Sequence, residues 1–573
     1  MLEKNLGHSS LANHTPNQRQ LFFVAITILL SLWGGIVLFI SPVGEFMVND
    51  DWCFVRIVET LLDGKNVTAT GWGDGGPSVL CHVLWGLLFS TCFGFSVTIL
   101  RISVLVLAIG SSFALLLLLR QMKNSLWLSL LATLVLILNP LFLSQSFTFM
   151  SDITFLFLLI SSFLLLHMGI EEHSHILLIS GLFFALFSIL TRQIGIVIPL
   201  GFLITCLLHP SGKHLNKKKM LLLTFGITII PWILYEVFLW QSGSTPITSH
   251  SVFKKIFSAP QSKGFPDYLF FLFSQAGIVL MYTGFLLSPL VVLYRHKLLG
   301  WKKNRRIFIL LLSSFVLFEV CLMGGLINPP INFHRNVIYD FGIGPLLLKD
   351  IYLLDIQRTI SLPKPFFFLL AFVALLSAMI LLLFSLKSVK CLFSTDREKH
   401  NHDTCFTSSF ALICSFIYAG IILLTGFHDR YLIPLCALLL IWFTKQITVT
   451  KTKPTFLQII LSTAILLFLA GTSIFGVKDF MSAKRSLHQA HAYLLYDIQV
   501  NPCEIDGGFE FNGYFCSDTN TIDYNRKKHS WWWVNEEKYL ITLGPLPHYQ
   551  VVKEFPFSRF IGNDGSIHIL RPD

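Results

Sequence analysis

The sequence predicts an all-α polytopic membrane bundle of about 13 transmembrane helices, with the amino terminus inside and a small α+β domain at the carboxyl end. Of its 573 residues, 54% are hydrophobic and only 13% are charged, which leaves too little polar surface to cover a soluble globule. Apolar runs of roughly 17–25 residues, the length that a crossing needs, recur along most of the chain. None follows residue 477, where charged, glycine and asparagine residues become more frequent.

The predicted crossings follow one another with one interruption. The segment 77–93 is apolar but short and contains His82 and Gly86, which favours an interfacial or re-entrant helix over a crossing. The crossings are predicted at 21–40, 100–119, 126–143, 153–168, 176–190, 194–208, 221–240, 268–294, 307–326, 366–386, 406–425, 432–443 and 456–475. The first run has no small-residue cleavage site after it, so we expect an uncleaved helix rather than a signal peptide.

The basic residues predict the orientation. If segment 1–20 is cytoplasmic, every second connection faces the cytoplasm, and these connections carry the Lys and Arg clusters, as the positive-inside rule requires. The transmembrane domain is then 21–476, and its first outer loop, 42–99, shares the outer face with a soluble extracytoplasmic domain at 477–573. Because the same clusters account for the net charge of +11, no nucleic-acid partner is predicted.

The carboxyl-terminal domain has its own secondary-structure signals. A helix is predicted at 480–498, and short strands are predicted at 538–543, 549–557 and 566–570. Cys503 and Cys516 lie in this polar part of the chain and could pair in an oxidising compartment. The chain has no CxxC pair and no Cys/His ligand spacing, so zinc or thiol redox chemistry is not expected.

Two adjacent carboxylates, Asp50 and Asp51, form the sharpest chemical feature. They lie just beyond the first predicted crossing, within the polar stretch 48–78. Neighbouring like charges beside a membrane are costly unless water, a cation or a substrate meets them. The pair therefore predicts a site, and a solvated helix end or N-cap is the alternative.

Further polar residues are predicted on the same outer face. Asp152 begins the fourth crossing, where an N-cap is again the alternative. The others lie in outer loops or turns: Arg192, Gln193, His334, Arg335, His428, Asp429, Arg430 and Tyr431. Arg192 lies between two apolar spans, where a buried cation needs an anionic partner. Acids and bases are thus predicted to converge at one membrane face, and structural salt bridges between loops are the alternative.

Such a cluster fits the transfer of a group from a phosphate-bearing lipid to an acceptor hydroxyl. A carboxylate would take the proton of the incoming hydroxyl as general base. Arginines would bind the phosphate leaving group and offset the charge that grows on it. The lipid tail would lie in an apolar groove between helices.

Several short motifs carry a resemblance to a known family. The chain resembles the GT-C class of membrane glycosyltransferases in the order of five features. They are NDDWCF, Arg101 at the start of the next crossing, FMSD, TRQIG and DRYLIP. The nearest branch is similar to bacterial relatives of the dolichyl-phosphate-mannose protein mannosyltransferases and of the aminoarabinose transferase that modifies lipid A. The resemblance implies about thirteen helices, a soluble extracytoplasmic tail and a polyprenyl-phosphate sugar donor. The family's first-loop acid falls on Asp50, with Asp51 beside it, and its second-loop acid falls on Asp152.

The sequence departs from that pattern at two places. Gly76 and Pro77 stand where many members have two prolines, and Ser151 stands where threonine often precedes the second acid. Neither change removes a reacting group, but the first affects the shape of the donor groove.

The resulting hypothesis is an inverting glycosyltransferase in the inner cell membrane, with its active site on the extracytoplasmic face. Asp50 is the predicted base, and Asp51 and Asp152 orient the acceptor or a cation. The predicted donor-phosphate ligands are Arg192, Gln193, His334, Arg335, His428, Arg430 and Tyr431. No dedicated metal cage is visible, and a divalent cation at Asp50 and Asp152 stays open. The acceptor, which could be a glycan, a lipid or a protein, also stays open.

The main alternative is a lipid-linked-sugar flippase or another polytopic transporter. Transporters tend to place ionisable groups near the bilayer midplane, between related halves of the chain. Here the charges gather at one face and the halves look unrelated, which argues against that class. An O-antigen polymerase or ligase would share outer loops rich in Arg and His, but it gives no reason for the Asp50 and Asp51 pair.

Overall fold

Apolar helices of crossing length dominate the computed structural model. It describes residues 16–65, 79–209, 216–242, 264–298, 313, 337–339, 342–356, 358, 364–393, 405–426, 428–449, 454–517, 533–534 and 536–573. Within these ranges, nine helices are long and apolar enough to cross a membrane, so the chain is a multi-pass membrane protein. They are Gln20–Ile40, Val97–Gln121, Ser151–Glu171, Lys217–Gln241, Phe265–Tyr294, Leu369–Lys390, Phe406–Thr425, Asp429–Thr448 and Phe456–Asp497. Each coincides with a predicted crossing.

The helices are numbered here in chain order. They are α1 (Pro16–Ile40), α2 (Asp51–Leu62), α3 (Leu80–Phe93), α4 (Val97–Gln121), α5 (Leu126–Ile137), α6 (Pro140–Ser146), α7 (Ser151–Glu171), α8 (His175–Thr191), α9 (Val197–Leu208), α10 (Lys217–Thr224), α11 (Ile230–Gln241), α12 (Phe265–Leu298), α13 (Lys364–Phe393), α14 (Phe406–Thr425), α15 (Leu432–Val449), α16 (Phe456–Ala492) and α17 (Phe509–Cys516). A π turn at Phe225–Ile229 joins α10 to α11.

The other predicted crossings differ from these nine. The third is divided into α5 and α6, which meet at an angle of 66°. Pro140 causes the break, because the residue before a proline avoids the helical region, and the side chain of Asn139 caps α6 through the Leu141 amide. The fifth and sixth form the shorter helices α8 and α9. The ninth, 307–326, lies outside the described residues apart from position 313.

The predicted short segment 77–93 forms α3, a helix of 14 residues. Gly86 lets it lie close to the Phe149 ring, since a Cβ at this position would clash with that ring. His82 is fully buried between the hydroxyl of Thr154 at 2.9 Å and the carbonyl of Phe149 at 3.1 Å. The placement of α3 relative to the membrane stays a prediction.

The last long helix, α16, runs without a break for 37 residues and passes the boundary predicted at residue 477. A capping box between Thr455 and Gln458 starts it, and a π turn at Tyr493–Asp497 ends it. The helix predicted at 480–498 is therefore the second half of α16. Hydropathy falls near residue 477, but no proline follows there to stop the helix.

The carboxyl-terminal part contains a four-stranded sheet in the order β3-β4-β6-β5, as the predicted α+β character requires. A two-stranded ribbon, β1 and β2, precedes it in the chain. The strands are β1 (Ile338–Tyr339), β2 (Gly342–Ile343), β3 (Ile505–Asp506), β4 (Tyr539–Thr542), β5 (Tyr549–Phe557) and β6 (Gly565–Pro572). β3 and β4 are parallel, while β4–β6 and β5–β6 are antiparallel. The three predicted strands are confirmed, whereas β3 was not predicted.

Helix α17 packs this carboxyl-terminal part onto α2. A disulfide joins Cys503 to Cys516, with 5.7 Å between their Cα atoms, and holds the end of α17. The ring of Trp52 contacts Phe509 and Trp533 at centroid distances of 6.3 and 5.5 Å. The part of the chain that follows the bundle therefore contacts the polar loop where the candidate site begins.

Candidate active site

The loop of residues 41–50, between α1 and α2, is held by a buried arginine on α4. Arg101 is fully buried and donates to the carbonyl oxygens of Pro42 at 2.5 Å, Gly44 at 3.1 Å and Phe46 at 2.7 Å. Buried carbonyls need such donors, because an unpaired one costs about 1–3 kcal/mol. Arg101 therefore fixes the path of the loop, which ends in a left-handed turn at Asn49 (φ 56°).

Asp51 is the second fixed point of this loop. Its side chain is completely buried, and it accepts the amide of Val48 at 2.6 Å and the amide of Phe149 at 3.1 Å, one on each oxygen. Burial raises the pKa of Asp51 to about 7, although the Val48 amide, the Arg101 charge and the Phe149 amide oppose the shift. This geometry favours a role in holding the loop against Phe149 over contact with a substrate.

Asp50, the neighbouring acid, has a different environment. Its side chain is 38% exposed, and its Oδ2 accepts a hydrogen bond from a terminal nitrogen of Arg430 at 2.8 Å. It occupies the N-cap position of α2 without capping it, so its carboxylate is not used by the helix. Of the adjacent pair, Asp50 is therefore the acid that a substrate can reach.

Asp152 and Arg192 form the second acid–base pair. Asp152 lies in the first turn of α7, and Arg192 follows α8, where the chain enters the 3-10 turn Gln193–Ile196. The guanidinium donates to Oδ1 of Asp152 at 2.5 Å and lies 4.6 Å from the ring centroid of Tyr431. The predicted anionic partner of Arg192 is thus Asp152.

Arg430 connects the two pairs. Its side chain is 5% exposed and bonds Asp50, while its Nε lies 3.9 Å from Oδ2 of Asp152. Neither of these two atoms makes a hydrogen bond within the described ranges. We define the charge cluster as Asp50, Asp152, Arg192 and Arg430. In this cluster two acids balance two bases.

The turn Asp429–Tyr431 places Arg430 at this point. Asp429 accepts the amides of Val337 at 3.0 Å and Ile338 at 2.8 Å on one oxygen, and that of Arg430 at 2.8 Å on the other. The carbonyl of Tyr431 accepts a hydrogen bond from the hydroxyl of Tyr418 at 2.8 Å. These bonds fix the start of α15 and, with it, the direction of the Arg430 side chain.

The other predicted donor ligands differ from Arg192 and Arg430 in their positions and partners. Gln193 donates to Glu236 at 3.0 Å, and Trp232 donates to the same carboxylate oxygen, so this amide points towards α11. His428 is exposed, with its ring 5.5 Å from that of Tyr431. His334 and Arg335 lie outside the described residues. Of the predicted residues, the structure brings together Asp50, Asp152, Arg192, Arg430 and Tyr431.

One contributor was not predicted from the sequence. Glu510, on α17, is buried and accepts from Lys484 at 2.6 Å and from the amide of Asn49 at 3.0 Å, both on Oε1. A single acid inside the aromatic run GGFEFNGYF was the available signal. Its partner Asn49 is 461 positions away, and no local pattern shows that pairing.

The described part of the chain contains no group of three or more His, Cys, Asp and Glu side chains placed to hold a metal ion. Asp50 and Asp152, the residues considered for a divalent cation, each have an arginine partner here.

Comparisons with known proteins find similarity only at a low level. No family model and no curated protein matches the sequence. The chain is similar to ArnT from Cupriavidus metallidurans in two crystal structures, one bound to undecaprenyl phosphate and one in the apo state. Both have 11% sequence identity and a TM-score of 0.37, over 96% and 97% of this chain and 98% of theirs. Similarity at this level establishes neither family nor function, so function has to be argued from the chemistry of the site.

Proposed function

We propose that this chain is an inverting glycosyltransferase of the cell membrane. It moves a sugar from a polyprenyl-phosphate-linked donor to an acceptor hydroxyl on the extracytoplasmic face. The observation that carries the proposal is the charge cluster, in which an accessible carboxylate, Asp50, shares Arg430 with the Asp152–Arg192 pair. An accessible acid beside two arginines supplies a general base and an anion site in one place.

The arginines bind the phosphate of the donor. A guanidinium offers a planar set of donors that suits a phosphate as well as a carboxylate, so a phosphate can take the place of Asp50 at Arg430 and bind Arg192 beside Asp152. When the donor phosphate takes Arg430, Asp50 is released towards the acceptor. Binding of the donor thereby prepares the base.

The reaction is a single displacement. The acceptor oxygen attacks the anomeric carbon while its proton passes to Asp50, and the bond between that carbon and the phosphate oxygen breaks. Polyprenyl phosphate leaves with the electron pair, and Arg192 and Arg430 offset its charge. One displacement inverts the anomeric configuration.

The other residues act around this step. Asp152 holds Arg192 in place, and Tyr431 packs against the same guanidinium. Asp51, whose oxygens both accept backbone amides, positions Asp50 by fixing the loop. The further donor ligands in this proposal are His334, Arg335, Gln193 and His428.

The location of the charge cluster supports the transferase over the transporter. Asp50 lies ten residues beyond the end of α1 at Ile40, and Asp152 is in the first turn of α7. Arg192 follows α8, and Arg430 precedes α15. Asp50, Asp152 and Arg430 thus lie at or beyond the ends of helices that are long enough to cross the membrane, whereas transporter sites lie near its middle.

The test is sugar transfer from radiolabelled polyprenyl-phosphate sugars in membrane vesicles, with Asp50→Asn compared with wild type at matched expression. We expect transfer to fall by about 10²–10⁴-fold while donor binding is retained. Asp63→Asn is the matched control, because Asp63 is an exposed acid near the end of α2 and should leave transfer unchanged. Equal transfer in wild type and Asp50→Asn would contradict the assignment of Asp50. No transfer by wild type from any donor would favour the transporter.

A further inference from the structure

A separate cavity of about 330 Å³ lies where the carboxyl-terminal part meets the first loop. Its lining comes from the loop 41–50, the start of α4, the end of α16 and helix α17. Its volume is at the lower end of the roughly 300–1,000 Å³ found for small-molecule sites. The charge cluster residues Asp50, Asp152, Arg192 and Arg430 are not part of its lining, so this space is distinct from the proposed donor site.

Aromatic side chains form a large part of the walls of this cavity. Phe46 and Phe95 contribute from the bundle side, and Phe511 and Phe515 contribute from α17. Phe511 stacks on the imidazole of His491, with 4.3 Å between the ring centroids and 17° between the planes. Flat apolar faces of this kind suit a ligand that is itself a ring with apolar faces.

Polar groups lie among these aromatic walls. Glu510 uses only Oε1 for Asn49 and Lys484, and no described residue bonds its Oε2. His488 also lines the cavity and makes no hydrogen bond with a described residue. The cavity thus offers a carboxylate acceptor and an imidazole that can donate or accept, which are suitable partners for hydroxyl groups.

The charges of the lining exclude an anionic ligand. Glu45 and Glu510 are acidic, and Lys484, the one basic residue among the lining groups besides the histidines, is already paired with Glu510. An entering phosphate or carboxylate would meet a net negative surface without a free cation to pair with, and burial of an unpaired charge is costly. A neutral ligand rich in hydroxyl groups meets no such cost.

We propose that this cavity binds a neutral sugar ring of the acceptor, a proposal that rests on the glycosyltransferase function above. The aromatic walls pack on the apolar faces of the ring, while Glu510 and His488 bond its hydroxyl groups. Glu510 also holds the amide of Asn49, the residue before Asp50. A sugar seated here would therefore contact the same side chain that fixes the turn leading to the proposed base.

The first experiment measures binding without turnover. The full chain is placed in lipid nanodiscs, because sugar-based detergents would compete for the site. Saturation-transfer NMR is recorded with the methyl glycosides of glucose, galactose, mannose and N-acetylglucosamine, and with glucose 6-phosphate as an anionic probe. We expect transfer to the ring protons of at least one neutral glycoside and a weaker signal from the phosphate.

The variants fill or alter the cavity without touching the charge cluster. Ala492→Trp puts an indole into the cavity and should lower the neutral-sugar signal at least about tenfold. His488→Leu removes one polar partner, and it keeps the test decisive if the larger substitution disturbs folding. Gln489→Leu, at an exposed position on the same helix, is the matched control and should keep the wild-type signal. Asp50→Asn should also keep it.

Three outcomes of the binding experiment would overturn the proposal. They are no neutral-glycoside signal from wild type, an undiminished signal from folded Ala492→Trp and His488→Leu, and a stronger signal from glucose 6-phosphate than from every neutral probe.

Kinetics separate this proposal from the transferase assignment. In vesicles that transfer sugar, Ala492→Trp should raise the KM for the acceptor about tenfold and leave the KM for the donor unchanged. An unchanged acceptor KM would overturn the acceptor role of the cavity and leave the transferase proposal intact. If wild type transfers no sugar, the transferase proposal fails and with it the acceptor role, while the NMR result still decides whether the cavity is a sugar site.

Discussion

Two groups of buried charges lie at the same end of the helix bundle, and they differ in what they bond. Arg101 and Asp51 bond backbone groups, namely three carbonyls and two amides. Arg430 and Arg192 bond carboxylates of other side chains. Backbone partners are fixed to the chain and cannot leave, whereas a carboxylate can be replaced by a phosphate of similar shape and charge. The first group is therefore expected to determine structure, and the second to determine ligand binding.

The largest effect should follow the loss of Arg101. Arg101→Met would leave the buried carbonyls of Pro42 and Phe46 without donors, while that of Gly44 keeps the hydroxyl of Thr98. At about 1–3 kcal/mol for each lost donor, we expect the free energy of unfolding to fall by roughly 2–6 kcal/mol. Thermal unfolding and the monodisperse fraction after extraction measure this. Arg101→Lys can keep fewer of the three bonds and should be intermediate. A stable Arg101→Met variant would remove the distinction between the two groups.

The pH dependence of stability should report Asp51. Its pKa is raised from 3.8 to about 7, so the folded state holds a proton that the unfolded state loses over this interval. Stability from this group is greatest below pH 4, declines as the pH rises towards 7, and is lower by about 4 kcal/mol above that. Asp51→Asn should remove this slope while weakening one amide contact. Parallel pH profiles of unfolding for wild type and Asp51→Asn would contradict the assignment.

Arg430→Gln tests whether the second group, in which arginines bond carboxylates, binds the donor phosphate. We expect sugar transfer to fall by about 10²–10³-fold, as for the loss of one donor to a developing anion. Polyprenyl phosphate should stabilise wild type by about 2.7 kcal/mol at a hundred times its Kd, and it should stabilise the variant much less. Arg485→Gln is the control, since Arg485 donates to the carbonyls of Ile40, Ser41 and Val43 and should leave the response to lipid intact. An equal response in wild type and Arg430→Gln would place the phosphate elsewhere.

The smallest effect should come from a contact between α17 and α2. The hydroxyl of Tyr514 donates to Glu59 at 2.8 Å, at a partly exposed position. Tyr514→Phe should lower the free energy of unfolding by about 1 kcal/mol, because water can replace the hydroxyl at the carboxylate. Thermal unfolding is the measurement. A loss comparable with that of Arg101→Met would mean that this side-chain contact fixes the loop as strongly as the backbone bonds.

The sequence predicted well those features that depend on the membrane itself. Lipid requires long apolar helices, so the spans at 21–40 and 406–425 could be read directly from hydropathy. A buried cation requires an anion, so Arg192 could be expected to have an acidic partner, which the structure identifies as Asp152.

Other features depend on geometry that a linear pattern does not contain. Asp50 and Asp51 look equivalent in sequence, but successive residues at a helix start point about 100° apart, and one acid is exposed while the other is buried. Helix α16 passes residue 477 because its polar second half remains helix-forming after the hydropathy has fallen. The bond from Asn49 to Glu510 depends on the tertiary fold.

The distance in sequence between Asn49 and Glu510 has a consequence for synthesis. The loop that carries Asp50 leaves the ribosome 461 residues before the side chain that completes its turn. At about 5–20 residues per second, this delay is roughly 20–90 seconds. During that time the turn at Asn49 lacks its partner Glu510, so under the proposed function we expect competence for transfer only when synthesis of the carboxyl-terminal part is nearly complete.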